Sequence, residues 1–346
     1  MRPSSTLGEP SPSTLASLAG SLSRWRGFLA FTRPFTLLPP LLGVVSGSLT
    51  AFGSAHNPDP LRGWDLNILA TVALGSLCAA LLNAASNGIN QVHDLEIDRK
   101  NKPTRPLVSG AITLAEGWWF SAVLYLLAIG PTWLVVVHPY RSLSEKLSAP
   151  LFRHECFFIY LAGLALTLVY SVPAFGRTKR NGFWANVTIA VPRGCLLKVA
   201  GWSMVASVLH LEPWYIGLIF LLGASTTKDF SDMEGDRAHG CITLPIRYGV
   251  RRASRMITPF FIFPWLLMPL GAVLNDPLNP GQRLLTGNPL TLTVVGAVLT
   301  LWGAFTSYLV IRRPEELATT ENHPSWTHMY LMMMFAQVGF AVAYLF

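Results

Sequence analysis

From Asn67 to Asp98 the chain reads NILATVALGSLCAALLNAASNGINQVHDLEID. Residues 67–90 are apolar or small with scarcely a charge, long enough for a helix to cross the ~30 Å hydrocarbon core of a bilayer. The acids come immediately after, at Asp94, Glu96 and Asp98. A spanning helix that ends on carboxylates sets the pattern for the whole chain. Eight further apolar stretches predict spans at 35–53, 114–137, 157–175, 184–209, 213–228, 256–274, 289–311 and 327–346. The fold class is therefore all-α, a polytopic membrane protein of nine transmembrane helices. The stretch 213–228 is short and reaches spanning length only if its helix runs on into the acidic segment behind it.

Composition agrees. Of 346 residues, 13% are charged and 51% hydrophobic. A soluble globule carries about 25% charge, so a soluble enzyme, a coiled coil and a disordered chain are excluded. Net charge is +8, but a nucleic-acid binder would not be this apolar, and no nucleic-acid partner is expected. The basic residues follow topology instead. With the N-terminus in the cytoplasm, 19 of the 26 lysines and arginines fall on that side. Five fall opposite (Arg62, Arg141, Lys146, Arg153 and Arg283), and Arg193 and Lys198 lie within the fifth stretch. This positive-inside bias predicts a multi-pass membrane protein with cytoplasmic N-terminus. Residues 1–27, rich in Ser, Pro and Gly, read as a disordered tail, and 28–346 as one membrane domain. The four cysteines show no ligand spacing and read as packing residues.

The acids cluster in two groups. One is Asn90, Asp94 and Asp98; the other is Asp229, Asp232 and Asp236. Steps of four advance a helix by ~40° beyond a full turn, so each group lies on one helical stripe. Both fall on the cytoplasmic side, each after an even-numbered span. One such stripe could be a solvated helix end. Two on the same side, each followed by basic residues, point to divalent metal. Mg²⁺ prefers oxygen ligands and is held by one or two carboxylates together with substrate phosphates. Lys102 and Arg105 follow the first group, Arg177 and Lys179 follow the fourth span, and Lys228 and Arg237 flank the second group. Lysine as a point charge and arginine as a fork are the residues that recognise phosphate. Acid and base at one membrane face suggest a diphosphate bridged by Mg²⁺. Beside an apolar bundle its other end is a lipid tail, and the lipid bilayer is its medium.

Ionisable residues at membrane depth are functional candidates. Arg193, after Pro192, reads as a cavity residue, whereas Lys198 points elsewhere and can snorkel. His93 is a neighbour of Asp94 rather than a ligand.

Asn90-x-x-x-Asp94-x-x-x-Asp98, then Lys102-Pro-x-Arg105-Pro-Leu-Val-Ser-Gly110, resembles the first signature of the UbiA superfamily of intramembrane prenyltransferases. Asp232-Met-Glu-Gly-Asp236-Arg237, then Gly240-Cys-Ile-Thr-Leu-Pro245, resembles the second. Tyr170-Ser-Val-Pro with Arg177, Lys179 and Asn186 resembles the segment between them. The resemblance runs from about Arg33 to Gly249 and implies a nine-helix bundle around a central cavity, capped by the two acidic cytoplasmic loops. It implies Mg²⁺-dependent transfer of a prenyl group from its diphosphate to a hydrophobic acceptor, with two ions bridging the diphosphate. By this match Asn90, Asp94, Asp98, Asp229, Asp232 and Asp236 hold metal, and Asp94, Asp98, Asp232 and Asp236 are the catalytic acids. Lys102, Arg105, Arg177, Lys179 and Lys228 contact the diphosphate, and Tyr170, Asn186, Arg193 and Arg237 complete the substrate site. The second signature is closer to homogentisate prenyltransferases, chlorophyll synthases and ether-lipid synthases than to 4-hydroxybenzoate enzymes. Gln91 tilts the reading toward a homogentisate-like branch and an aromatic, quinone-precursor-like acceptor. A chlorophyllide or lipid-phosphate acceptor, a terpene cyclase of the same superfamily and, from another class, a cation-coupled transporter stay open. The polar connection over residues 138–155 is longer than the family leads one to expect.

Overall fold

The structure is a computed structural model. It describes residues 24–346 except 60, 62, 138, 225, 226, 239, 321 and 322. The side chains of Lys100, Asn101 and Lys228 also lie outside the described residues. So does most of the stretch read as a disordered tail; its last residues, 24–27, are helical and belong to a helix over 24–32.

The major helices are α1 (Leu38–Gly53), α2 (Leu66–His93), α3 (Leu114–Ile129), α4 (Glu155–Ser171), α5 (Gly182–Ala190), α6 (Leu197–Trp202), α7 (Leu211–Gly223), α8 (Val250–Ile257), α9 (Phe263–Val273), α10 (Pro289–Arg312) and α11 (Pro324–Leu345). Several start where a side chain satisfies the free N–H groups of the first turn. Asp65 accepts from the Ile68 amide at 2.8 Å ahead of α2. Thr113 and Glu116 form a capping box ahead of α3, and Asn181 and Asn288 cap α5 and α10.

Among the described residues six helical segments are long and apolar enough to cross a membrane: Arg24–Gly53, Leu66–His93, Leu114–Leu134, Val250–Val273, Pro289–Arg312 and Pro324–Leu345. They account for six of the nine expected spans. The other three stretches take different forms. The fourth and seventh segments of apolar helix, α4 and α7, are shorter, at 17 and 13 residues. The expected span 184–209 is α5 and α6 joined by a π-turn at Val191–Leu196, and α6 ends at Trp202. Pro192 lacks the N–H that would continue an α-helical ladder, which favours the wider turn there. Helix α7 does not run into the acidic segment: it ends at Gly223, and a four-residue helix starts at Lys228.

Without a hydrophobic drive between helices in lipid, small residues let backbones approach. Gly47 of α1 and Gly201 of α6 meet face to face. A Cβ on Gly201 would lie 2.1 Å from the Val44 carbonyl oxygen, and one on Gly47 would lie 2.5 Å from that of Lys198. Apolar side chains left uncovered, such as Leu126, Leu290 and Leu301, form the outer belt.

Lys198 does not snorkel. It is buried at the α1–α6 seam, donates to Ser46 Oγ at 2.6 Å and sits over the rings of Phe220 and Phe340 at 4.7 and 5.4 Å. Those aromatic faces supply part of the solvation its charge would otherwise lose.

The end of the bundle away from the acidic motifs is knotted around Glu212. Its carboxylate accepts from Ser54 Oγ at 2.6 Å, the Thr286 amide at 2.6 Å and the Tyr344 hydroxyl at 2.5 Å. The long 138–155 connection closes the same end. Its short helix Leu143–Ser148 is anchored by Lys146, which donates to Asn67 at 2.8 Å, and by an Arg141–Asp65 ion pair at 3.6 Å.

Overpacking a tight seam costs about 1–3 kcal/mol. Gly201→Ala is therefore expected to lower the melting temperature in detergent by several degrees, while Leu301→Ala on the outer belt leaves it unchanged. Equal melting of Gly201→Ala and the unaltered protein would show that the two helices have room to part.

Candidate active site

Each acidic motif is broken at an aspartate. Asp94 ends α2 and starts the short helix Leu95–Asn101, with φ −102° and ψ 11°. Asp232 separates Lys228–Ser231 from Met233–Ala238, with φ −95° and ψ 3°. This sparsely populated bridge region is a frequent backbone state of active-site residues. Helical hydrogen bonds nevertheless carry across both breaks. The amides of Asp94, Asp98 and Lys102 donate to the carbonyls of Asn90, Asp94 and Asp98 at 2.9, 2.8 and 2.7 Å. The Asp236 amide donates to the Asp232 carbonyl at 3.1 Å. The first stripe thus survives as a bent helix that runs on to Lys102, and in the second Asp232 and Asp236 stay one helical turn apart.

The basic residues close on these acids from other parts of the chain. Asp94, buried, accepts from Arg177 Nη2 at 2.9 Å and from Lys179. Arg177 also donates to the His93 carbonyl at 2.9 Å. Its own backbone is left-handed, with φ 43°, a state that costs a non-glycine residue about 1–3 kcal/mol. Asp98 pairs with Arg105. Lys102, at the end of the first motif, reaches Asp232 of the second at 3.9 Å. The loop carrying Arg177 and Lys179 is zipped to the chain behind the second motif: the Ile242 amide donates to the Arg180 carbonyl at 2.8 Å, and the Cys241 amide to that of Asp236 at 2.9 Å. Three segments distant in sequence therefore share one opening.

Burial sets the electrostatics. It pushes the Asp98 carboxyl up, against the pull of Arg105, Lys102 and Arg33. Asp229 is pushed up to about 7 by burial and then by the negative charge of Asp236 and Asp232. Burial pulls the Lys179 amine down to about 8. Desolvated charges of this kind persist only when paired. Among the described residues no three His, Cys, Asp or Glu side chains gather as a metal cage. The donor set instead suits a hard cation that takes a few carboxylate oxygens and completes its shell from phosphate and water.

The remaining expected residues are placed as follows. Tyr170 ends α4 within the field of Asp229, Arg193 and Asp236. Its neighbour Ser171 donates to Asn90 Oδ1 at 3.3 Å, so the Asn90 amide oxygen is aimed by α4. Arg193 lies on the π-turn. Although enclosed by the bundle, its side chain is accessible, so it faces open space rather than packed atoms. Asn186 turns back on its own helix, donating to the Gly182 carbonyl at 2.7 Å. Arg237 is exposed and forms no ion pair with a described carboxylate. The Lys228 side chain lies outside the described residues. His93 packs edge-on against Trp118 at 5.1 Å and contributes its carbonyl rather than its ring.

Sequence reasoning counted Arg33 only as a topological charge. It stands at the same opening, within reach of the fields of Arg105, Arg193, Asp98 and Asp232. With Arg177 it is one of two non-glycine residues of positive φ among those described. The Arg-Pro pair just ahead of the first span was the signal. Gln91 is also recast: it is buried and turned toward the N-terminal segment, donating to the Phe31 carbonyl at 2.8 Å.

Comparison with known proteins bears on this arrangement. The chain is 30% identical over 266 residues to a protein named probable homogentisate phytyltransferase 2, chloroplastic, from Oryza sativa subsp. japonica, covering 73% of this chain and 63% of that one. It is 29% identical over 306 residues to digeranylgeranylglyceryl phosphate synthase of Methanoregula boonei, covering 82% and 96%. Its fold is similar to that of a UbiA homolog from Archaeoglobus fulgidus solved with DMAPP and Mg²⁺, with a TM-score of 0.60 and 19% identity over 91% of this chain and 99% of that one. The sequence profile of the UbiA prenyltransferase family matches residues 37–331. With most of its length inside that match and two acidic motifs drawn to one opening, the chain belongs to the UbiA prenyltransferase family.

Proposed function

We propose that the chain transfers a prenyl group from a prenyl diphosphate to a hydrophobic, aromatic acceptor of the quinone-precursor type, with two Mg²⁺ ions at the diphosphate. The observation that carries this reading is the Lys102–Asp232 contact at 3.9 Å. It places a base of the first motif against an acid of the second, so that one polyanion with its metal can engage both. The ligands named for solved relatives, DMAPP and GPP with Mg²⁺, support the same reading.

The ion pairs define a resting state ready for exchange. Lys102, Arg105, Arg177 and Lys179 pass from carboxylates to phosphate oxygens. Asp94, Asp98, Asp232 and Asp236, with Asn90 and Asp229, turn to the metal. Bound Mg²⁺ neutralises the charge that develops on the leaving diphosphate. The C–O bond of the prenyl group breaks with its electrons on the diphosphate, and the prenyl carbon bonds to the acceptor, which gives up a proton. Tyr170 and Arg193 line the space beneath, where the prenyl tail and the acceptor meet. The opening faces the cytoplasm, on the strength of the basic-residue bias.

Two expectations follow from the pairing. Asp94→Asn removes the charge but keeps the shape beside Arg177 and Lys179. It and Asp236→Asn are each expected to lower turnover at least about 100-fold, the scale for losing a preorganised electrostatic group, with melting temperature kept. Asp94→Ala would also remove the oxygen that accepts from Arg177 and Lys179 and is the poorer test. Turnover within twofold of normal in either asparagine variant at saturating Mg²⁺ would sink the assignment of these acids. EDTA is expected to stop prenyl transfer and added Mg²⁺ to restore it; transfer that continues in chelator would end the metal reading.

A further inference from the structure

Three amides follow one another along α2 at four-residue intervals, Asn83, Asn87 and Gln91, and all three donate to the segment ahead of α1. Asn83 Nδ2 donates to the Thr36 carbonyl at 2.9 Å. Asn87 Nδ2 donates to the Thr32 carbonyl at 3.0 Å and to Thr36 Oγ1 at 2.8 Å. Gln91 Nε2 donates to the Phe31 carbonyl at 2.8 Å. Asn87 and Gln91 are buried. Their targets, Phe31, Thr32 and Thr36, bracket Arg33, Pro34 and Phe35.

Arg33 has φ 55° and ψ 65°, the left-handed state. Pro34 follows it, and the ring of a proline disfavours the right-handed helical state in the residue before it. Proline alone would leave Arg33 extended. The hydrogen bonds select the left-handed alternative: the Thr36 amide and hydroxyl both donate to the Arg33 carbonyl at 2.8 Å, and the Arg33 amide donates to that of Ala30 at 3.1 Å. Such a conformation persists only where its surroundings over-determine it, and it concentrates at ligand clamps. The side chain so aimed is accessible and forms no hydrogen bond or ion pair with a described residue. It lies in the fields of Arg105 and Arg193 and, after them, of Asp98 and Asp232, one acid from each motif. Every other base named at the opening whose partner is described has a carboxylate, Arg193 and Arg237 excepted. Arg33 is therefore a guanidinium held in place ahead of its ligand.

We infer that Asn83, Asn87 and Gln91 are positioning residues of the diphosphate site, and that they act by holding the left-handed turn that presents the Arg33 guanidinium to the phosphate oxygens between the two acidic motifs. The inference rests on the proposed transfer from a prenyl diphosphate. Holding an arginine in its bound direction lowers the ordering cost of binding. The ladder also explains why a spanning helix carries three amides in its last three turns.

The test is a double-mutant cycle on the full chain in nanodiscs, with Mg²⁺ and geranyl thiodiphosphate, an analogue that resists ionisation. Arg33→Asn tolerates the left-handed backbone but lacks the guanidinium. It is expected to weaken analogue binding about 10- to 100-fold, the scale of a lost charge-assisted hydrogen bond, and Arg33→Lys to recover part of that. Gln91→Met keeps the bulk but not the donor and is expected to weaken binding severalfold. In the Arg33→Asn background Gln91→Met should add nothing, and kcat at saturating prenyl diphosphate should change less than KM. Thr36→Val reports on the same turn if Gln91→Met does not fold. Full additivity of the two changes would reduce the ladder to ordinary packing and overturn the inference. So would an unchanged analogue affinity in Arg33→Asn, or a loss confined to the KM of the acceptor. Failure of the unaltered protein to bind the analogue with Mg²⁺ would instead remove the diphosphate reading itself, and the ladder's role with it.

Discussion

Everything at the active end depends on how Asp94 is neutralised. A carboxylate taken out of water at the end of an apolar helix is unstable unless cations come to it. Arg177 and Lys179 arrive from a loop more than 80 positions later in the chain, and that loop is in turn paired in parallel with the chain behind Asp236 through Asn181 and Ile242. One buried charge thus recruits the segment between the motifs, and that segment recruits the second motif. The same demand explains Arg105 on Asp98 and Lys102 toward Asp232. Binding a metal–diphosphate would exchange partners among charges already in place instead of burying new ones, which keeps the desolvation penalty largely in the fold.

Much of this was legible in residue order. The run ending at Asp94 announced both a spanning helix and an acidic stripe, because apolar length and helical periodicity are local properties. The basic partners were legible as types and not as pairs, since only the folded chain decides that Asp94 takes two cations while Arg237 takes none described. The breaks were less visible. Pro192 gave the only hint that one apolar stretch is two helices about a π-turn, and hydropathy does not register such a turn. The end of α7 at Gly223 was hidden for the same reason. Lys198 misled because a long basic side chain in lipid has two outlets, the interface or an aromatic cage, and the cage is assembled by Phe220 and Phe340 from distant helices.

Arg33 and Gln91 illustrate a subtler limit. Counting charges by membrane side treats every loop arginine alike, so a functional one disappears into the tally. Gln91 was read as a mark of acceptor class from its place in the first motif. A step of one on a helix turns a side chain by ~100°, and that rotation takes it from the acidic stripe to the N-terminal turn.

The knot around Glu212 gives the bundle two unlike ends. At that end, backbone and hydroxyl donors from three segments hold one carboxylate, and none of them belongs to the substrate site. At the other end the helices are joined through the very groups a substrate would borrow. Rigidity is then permanent at one pole and conditional at the other. The molecule resembles tongs riveted at one tip, whose free tips are tied to each other until a ligand unties them. Entry and release of a bulky prenyl chain can be accommodated by parting helices near the acids, with the pivot fixed a full membrane thickness away.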